Sequence, residues 1–155
     1  MTRTIVALVV VAAGAILLAS GATAGSSAAK QRVAITGVGA SGFTLTPLTA
    51  GALKADAGSA SFCCWTTRDL IRDGQAIGVT NGPLMTVTGK NGALVAKNRM
   101  EWLEVPGGYS IFTGSWKVVR GTGDYAGLVG GGRVAGITLP GGLTKWRREG
   151  VIGPS

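Results

Sequence analysis

Glycine-centred turn signals divide the chain into short apolar runs, and the stretch from Ser115 to Gly132 shows this most clearly. It holds an aromatic and β-branched run, a Gly-Thr-Gly break, a Tyr-Ala-Gly-Leu turn and three consecutive glycines. Short runs that favour a pleated surface, separated by turn residues at close spacing, are typical of antiparallel sheets. We therefore expect two neighbouring strands here, joined at a tight corner.

The rest of the chain repeats this pattern of short strands and turns. Asp73-Gly74 and Asn91-Gly92 are strong hairpin signals, and residues 58–71 read as one long strand. No segment after residue 24 shows a sustained helical period, although a helical turn near residues 124–128 fits the pattern. The sequence predicts a single all-β domain of about eight strands, either a sandwich or a barrel.

One hairpin is specific enough to predict its register. If Val105 faces Tyr109 across a three-residue loop, then Trp102 faces Phe112 on the same side of the sheet. The same register adds the pairs Met100 with Gly114 and Asn98 with Trp116. The opposite face carries the charged residues Lys97, Arg99, Glu101 and Lys117. We expect Met100, Trp102, Phe112 and Trp116 to line the interior or to contact a ligand.

The N-terminal segment has the three parts of a secretory signal peptide. A basic start at Arg3 precedes an apolar run from Ile5 to Ala19, and Ala22-Thr23-Ala24 supplies a cleavage signal. The alternative is an uncleaved anchor, which would be the protein's contact with a membrane. The sequence thus predicts a secreted or extracytoplasmic protein, with residues 1–24 as signal. Residues 25–40 would be a flexible tail with a candidate first strand, and residues 41–155 the folded domain.

The chain is basic, with a net charge of +8. Such a balance favours contact with anionic surfaces, but the basic residues are scattered and the one dense cluster is Lys145-Trp146-Arg147-Arg148. On a strand, Trp146 and Arg148 share one face, and Lys145 and Arg147 the other. We expect a core Trp146 flanked by surface cations, and no specific nucleic-acid binding.

Several catalytic classes are excluded by composition. The chain has no histidine, which removes Ser-His-Asp and Cys-His catalysis and His-based metal sites. The G-x-G-x-x-A match at residues 121–126 leads into further glycines, whereas a dinucleotide fingerprint needs a long helix there. The sequence predicts no catalytic residue, no cofactor and no metal. The candidates for a polar site are Arg99, Glu101 and Tyr125, although Glu101 beside Arg99 equally fits an ion-paired outer wall.

The two cysteines are adjacent, at Cys63 and Cys64. Neighbouring residues of a regular strand point to opposite faces, so their thiols cannot bond without a distorted backbone. Three readings remain open: two small buried hydrophobes on opposite sides of the sheet, a strained vicinal disulfide, or a cross-link between subunits. A catalytic thiol lacks a histidine to activate it.

The stretch from Gly114 to Leu128, followed by three glycines at residues 130–132, resembles the late strands of allene oxide cyclase barrel-like and dirigent-like proteins. Those proteins show a strand, a Gly-Thr-Gly step, an aromatic-Ala-Gly turn and another glycine before the next strand. The likeness covers most of residues 41–150 and is closest to small exported bacterial members. The other segments that fit this pattern are residues 43–48, 62–65, 72–75 and 101–102.

The resemblance implies an eight-stranded antiparallel barrel, and a homo-oligomer, since plant relatives are often trimers. The plant cyclase steers an unstable epoxide to one cyclic product inside an apolar barrel, and dirigent proteins steer radical coupling in a similar pocket. Their functional residues have no one-to-one match in this sequence, so none is carried over. Fold alone does not settle function.

Three hypotheses follow for function. The leading one is a secreted barrel that binds a hydrophobic or amphipathic small molecule, since an eight-stranded barrel has room for side chains or one small ligand. The second is a cyclase or isomerase that works by confinement and needs an internal polar group. The third is an oligomeric cell-surface structural protein, which requires a large exposed apolar patch.

Overall fold

A computed structural model describes residues 29–155, which form ten strands and one short 3₁₀ helix at Gly123–Tyr125. The predicted signal segment lies outside these residues, and within them no helix is long and apolar enough to cross a membrane. The strands are β1 Gln31–Val38, β2 Gly42–Pro47, β3 Asp56–Cys63, β4 Thr67–Arg72, β5 Gln75–Asn81, β6 Leu84–Gly89, β7 Gly92–Val105, β8 Tyr109–Gly121, β9 Leu128–Thr138 and β10 Thr144–Pro154.

Eight of these strands close into an antiparallel barrel, which confirms the predicted all-β class and barrel architecture. Around the barrel the order is β7-β6-β3-β2-β1-β10-β9-β8, and β8 pairs back with β7. Strands β4 and β5 form a hairpin outside this ring, with β5 paired to the second half of β7. Strand β1 contains the candidate first strand of the sequence and pairs with both β2 and β10.

The predicted register of the β7–β8 hairpin is confirmed. Val105 pairs with Tyr109, Trp102 with Phe112, Met100 with Gly114, and Asn98 with Trp116. The charged set on the opposite face (Lys97, Arg99, Glu101 and Lys117) is exposed, as alternation requires. The 3₁₀ helix lies where the sequence allowed one helical turn.

Glycines on neighbouring strands make room for the large inward side chains. Phe112 pairs across the sheet with Gly136, and a Cβ at that position would overlap the Phe112 ring. Trp146 in turn lies against Gly37 of β1, where a Cβ would overlap the indole. The high glycine content therefore serves close packing inside the barrel as well as the turns.

The predicted long strand over residues 58–71 is wrong, because the chain breaks at the cysteines. Strand β3 ends at Cys63, and Cys64 adopts a left-handed conformation with φ of 59°. A non-glycine residue rarely takes such a value, so the backbone turns sharply here. Strand β4 starts at Thr67 and leaves the barrel wall to form the outer hairpin.

The two ends of the barrel differ. We call one the closed end: it holds the β6–β7 turn, the 3₁₀ helix, the start of β1 and the end of β10. The other is the open end, formed by the β1–β2 turn, the β9–β10 loop, the segment Cys63–Trp65 and the outer hairpin. Buried apolar side chains fill the space between them: Val33, Ile35, Phe43, Leu45, Met85, Val87, Leu94, Met100, Phe112, Trp116, Val134 and Ile152.

Candidate functional site

A cavity of about 360 Å³ lies at the open end of the barrel. Strands β7, β8 and β10 contribute its inner walls, and the β1–β2 turn and the segment after β3 contribute its rim. Its lining is mainly aromatic, with one charged group. The large lining side chains are Phe62, Trp65, Met100, Trp102, Phe112, Trp146 and Arg148.

Contacts at the rim fix the orientation of two of these rings. The Trp102 indole N–H donates to Asn81 Oδ1 of the outer hairpin at 3.1 Å, and the ring stacks on Phe112 with centroids 4.2 Å apart. The Trp146 indole N–H donates to the Gly39 carbonyl at 2.9 Å. Both polar atoms of these indoles are therefore engaged, and their ring faces and edges form the cavity wall.

Arg148 is the one charged residue of the cavity, and its side chain is 1 % exposed. It lies on β10 between Ile35 of β1 and Val134 of β9, deeper in the barrel than Trp146. Its guanidinium carbon is 4.5 Å from the Trp146 ring and 5.6 Å from the Phe62 ring. Aromatic faces attract a cation, so these two rings partly stabilise the buried charge.

Few hydrogen bonds satisfy this guanidinium. Its Nε donates to Asn98 Oδ1 at 3.1 Å, and the Asn98 side-chain amide donates in turn to the Pro83 carbonyl at 3.0 Å. Within residues 29–155, Nη1 of Arg148 is buried and has no acceptor. Burial lowers the pKa of Arg148 to about 9, so the group still carries its charge at neutral pH.

The closed end also holds a buried charge, at Asp56, but this one is fully engaged. Asp56 is 3 % exposed and accepts a hydrogen bond of 2.8 Å from the Tyr125 hydroxyl. Its carboxylate also accepts from the amides of Ala57, Lys90 and Asn91 at 2.9, 3.1 and 3.2 Å. Burial raises the pKa of Asp56, but these hydrogen bonds outweigh it and leave the pKa below its usual value.

Gln31 completes the closed end. Its side-chain amide donates to the Thr49 carbonyl at 2.9 Å, and its oxygen accepts from the Leu53 amide at 2.7 Å. These bonds attach the β2–β3 loop to the first strand. The buried polar side chains of this end, Gln31 and Asp56, are therefore both hydrogen-bonded within the chain.

The structure brings three of the four predicted lining residues together at the cavity. Met100, Trp102 and Phe112 all face it. Trp116 is also buried inside the barrel, at 3 % exposure, but it lies outside the cavity lining. Its indole N–H donates to the backbone carbonyls of Arg133 and Glu149 at 3.1 and 3.3 Å.

The candidate polar site of Arg99, Glu101 and Tyr125 is not assembled. Arg99 and Glu101 are exposed on the outer face of β7, because their positions alternate with those of Asn98 and Met100. Tyr125 is buried at the closed end, where its hydroxyl is committed to Asp56. Burial and the neighbouring carboxylate raise the pKa of this phenol.

Cys63 and Cys64 are both exposed at the rim of the open end, and no bond joins their sulfur atoms in the structure. This rules out the reading that made them buried hydrophobes. The left-handed conformation of Cys64 supplies the backbone distortion that brings the two Sγ atoms to 2.7 Å. The contact with Cys64 raises the pKa of the Cys63 thiol. A vicinal disulfide stays a prediction.

Sequence reasoning missed the two most informative residues of the interior. The basic neighbours of Arg148 favour a surface position, whereas strand alternation places it on the same face as Trp146, and the structure agrees with the alternation. Asp56 carried no local signal. Its partners Lys90 and Tyr125 are 34 and 69 residues away in the chain.

Other regions offer weaker candidates. A depression of about 420 Å³ lies on the outer face of β7 and β8, where Lys97, Arg99 and Lys117 are exposed. It lies on the outer surface of the sheet, next to a register shift of the β7–β8 pairing between Val95 and Ala96, and none of its charged lining residues within residues 29–155 is buried. In the part of the chain that the structure describes, no three His, Cys, Asp or Glu side chains come close enough to hold a metal ion.

Comparison of the chain with protein-family models, with curated proteins and with solved structures finds no match.

Proposed function

We propose that the protein binds a hydrophobic or amphipathic small molecule in the cavity at the open end of its barrel. The observation that carries this proposal is an aromatic-lined cavity of about 360 Å³ inside the barrel mouth. Ligand sites in proteins are concave and mostly apolar, with volumes of roughly 300–1,000 Å³, and barrel mouths are among their common positions.

The way the barrel is filled supports this location. At the closed end and in the middle, buried side chains occupy the interior, among them Tyr125 at the closed end. At the open end, Trp65 is 51 % exposed although it is a large aromatic residue next to Phe62. An exposed tryptophan at the rim of an aromatic cavity gains stabilisation when a ligand covers it.

The test uses a neutral fluorescent probe, phenylnaphthylamine, whose emission rises in an apolar site. We expect saturable binding to the wild-type protein. Ala40 lines the cavity at the β1–β2 turn, so Ala40→Trp should fill the mouth and weaken binding by at least about tenfold, a loss of 1.4 kcal/mol. Ala126→Trp is the matched control, since Ala126 is exposed in a turn at the closed end.

Two results would contradict the proposal. One is the absence of saturable binding by a folded wild-type protein. The other is equal loss of binding in both tryptophan variants, which would place the probe elsewhere on the surface.

A further inference from the structure

The open-end cavity contains a buried cation whose hydrogen-bonding capacity is largely unused, and this feature indicates the chemistry of the ligand. Arg148 has five N–H donors, whereas the protein supplies one side-chain acceptor, Asn98 Oδ1. Nη1 is buried without an acceptor among residues 29–155. Buried guanidinium groups normally have a carboxylate partner or a complete set of acceptors.

No carboxylate of the described chain reaches Arg148. The buried carboxylate Asp56 belongs to the closed end and is saturated by its own donors. Glu149, the next residue along β10, points outward and pairs with Arg147. Cation–π contact with Trp146 and Phe62 stabilises the charge but supplies no hydrogen-bond acceptor for Nη1. Among residues 29–155 the guanidinium therefore has no anionic partner.

The shape of the site favours a planar anion on an aromatic ring. A guanidinium binds a carboxylate through parallel N–H···O bonds in one plane. The walls are flat: Trp102 and Phe112 are stacked with an interplanar angle of 20°, and Trp146 lies under the guanidinium. A cavity of about 150 Å³ holds one benzene molecule. The volume of about 360 Å³ therefore suits one or two fused rings.

We propose that the cavity binds a small aromatic carboxylate, with its carboxylate on Arg148 and its ring among the aromatic side chains of the open end. This inference rests on the proposed function and names the ligand class of the same site. Asn98 acts as a positioning residue, because its amide is tied to the Pro83 carbonyl and its oxygen holds the Arg148 Nε. Since burial lowers the pKa of Arg148 only to about 9, the cation is present at neutral pH.

The test compares two probes of the same shape, naphthoate and the neutral naphthamide, by isothermal titration calorimetry. The main difference between the two probes is that only naphthoate can form a hydrogen-bonded ion pair with Arg148. We expect the wild-type protein to bind naphthoate at least about tenfold more tightly. Arg148→Met should remove this preference while retaining affinity for naphthamide.

A second variant keeps the arginine and neutralises its charge. Asn98→Asp places a carboxylate beside the Arg148 Nε and neutralises the site from within the protein. We expect this variant to bind naphthoate no more tightly than naphthamide. Arg148→Met removes the cation, whereas Asn98→Asp adds an anion beside it. If one variant fails to fold, the other is still a complete test.

The outcomes separate this inference from the proposed function. Equal affinity of the wild-type protein for both probes would overturn the anionic ligand and leave the apolar site standing. Binding of neither probe would overturn this inference, and the absence of phenylnaphthylamine binding as well would overturn the proposed function. Inorganic sulfate that binds as tightly as naphthoate would show that Arg148 is a simple anion site and would overturn the aromatic carboxylate.

Discussion

Among the described residues, the closed and open ends of the barrel each bury one charged residue, and the two residues differ in how completely they are hydrogen-bonded. Asp56 accepts four hydrogen bonds from groups of its own chain, whereas Arg148 donates one to a side chain and its Nη1 has no acceptor among residues 29–155. A satisfied buried charge stabilises a fold, and an unsatisfied one destabilises it. The comparison supports our proposal that the open end binds a ligand, whereas the bonded charge of the closed end stabilises the fold.

The largest expected effect is at the closed end. Asp56→Ala leaves the Tyr125 hydroxyl and three backbone amides without an acceptor, so we expect the free energy of unfolding to fall by about 3–5 kcal/mol. Urea denaturation measures this change. Asp124→Ala is the control, because Asp124 is exposed in the neighbouring turn and its loss should change stability by less than about 0.5 kcal/mol. Equal effects of both substitutions would show that the network does not hold this end.

The same carboxylate predicts a pH dependence of stability. Its pKa in the folded protein is below the ordinary value of 3.8, so its contribution is fully present above that value. The contribution is lost as the pH falls through the folded pKa, because protonation removes the charge that the four donors stabilise. We expect the difference in unfolding free energy between wild type and Asp56→Asn to shrink below about pH 4. A difference that stays constant down to pH 2 would contradict this.

At the open end we expect a gain of stability on mutation. Arg148→Met replaces a buried, incompletely bonded cation with an apolar side chain of similar length. Asn98 Oδ1 loses its donor, but removal of the buried charge outweighs that loss, so we expect stability to rise by about 1–2 kcal/mol. Thermal and urea unfolding measure the gain. Arg120→Met changes an exposed arginine of β8 and should have little effect. If Arg148→Met destabilised the protein more than Arg120→Met, Arg148 would be a structural residue like Asp56.

The smallest effect concerns the rim. Trp65→Ala removes a half-exposed ring of the cavity, and we expect weaker binding of the neutral probe by about 0.5–1.5 kcal/mol with little change in stability. Tyr109→Ala removes an exposed aromatic ring that is not part of the lining, and should leave affinity unchanged. Fluorescence titration of both variants checks this. Equal affinities of the two variants would place Trp65 outside the site.

The barrel wall was predictable from sequence because its determinants are local. Alternation and a three-residue loop determine the β7–β8 pairing, including the pair Met100 and Gly114. Once the first pair beside the loop is set, it sets the register of all the later pairs. Barrel closure is different, since β8 returns to β7 only after the whole ring has formed. The strand pattern alone fits a sandwich as well as a barrel, and only the family resemblance favours the barrel.

The polar interior was not predictable for a related reason. Asp56 meets three of its four donors from two distant segments, residues 90–91 and Tyr125, and Arg148 meets Asn98 across the barrel at a separation of 50 residues. A single sequence carries no signal for such pairings. The break at Cys64 was missed because the run around it is apolar and β-prone, and nothing in it marks a left-handed residue. Tertiary contacts outweighed the local sequence pattern at Asp56, Arg148 and Cys64. Arg148 lines the proposed site, and Cys64 lies at the rim of the same end.

The central claim, that ligand binds at the open end, is tested most directly by the indole N–H signals of the four tryptophans in an NMR titration with phenylnaphthylamine. Trp65, Trp102 and Trp146 line the cavity, whereas Trp116 is buried in the barrel away from it. The account predicts saturable shifts of the first three signals and an unmoved Trp116 signal. Unmoved signals for all four, or a shift confined to Trp116, would contradict it.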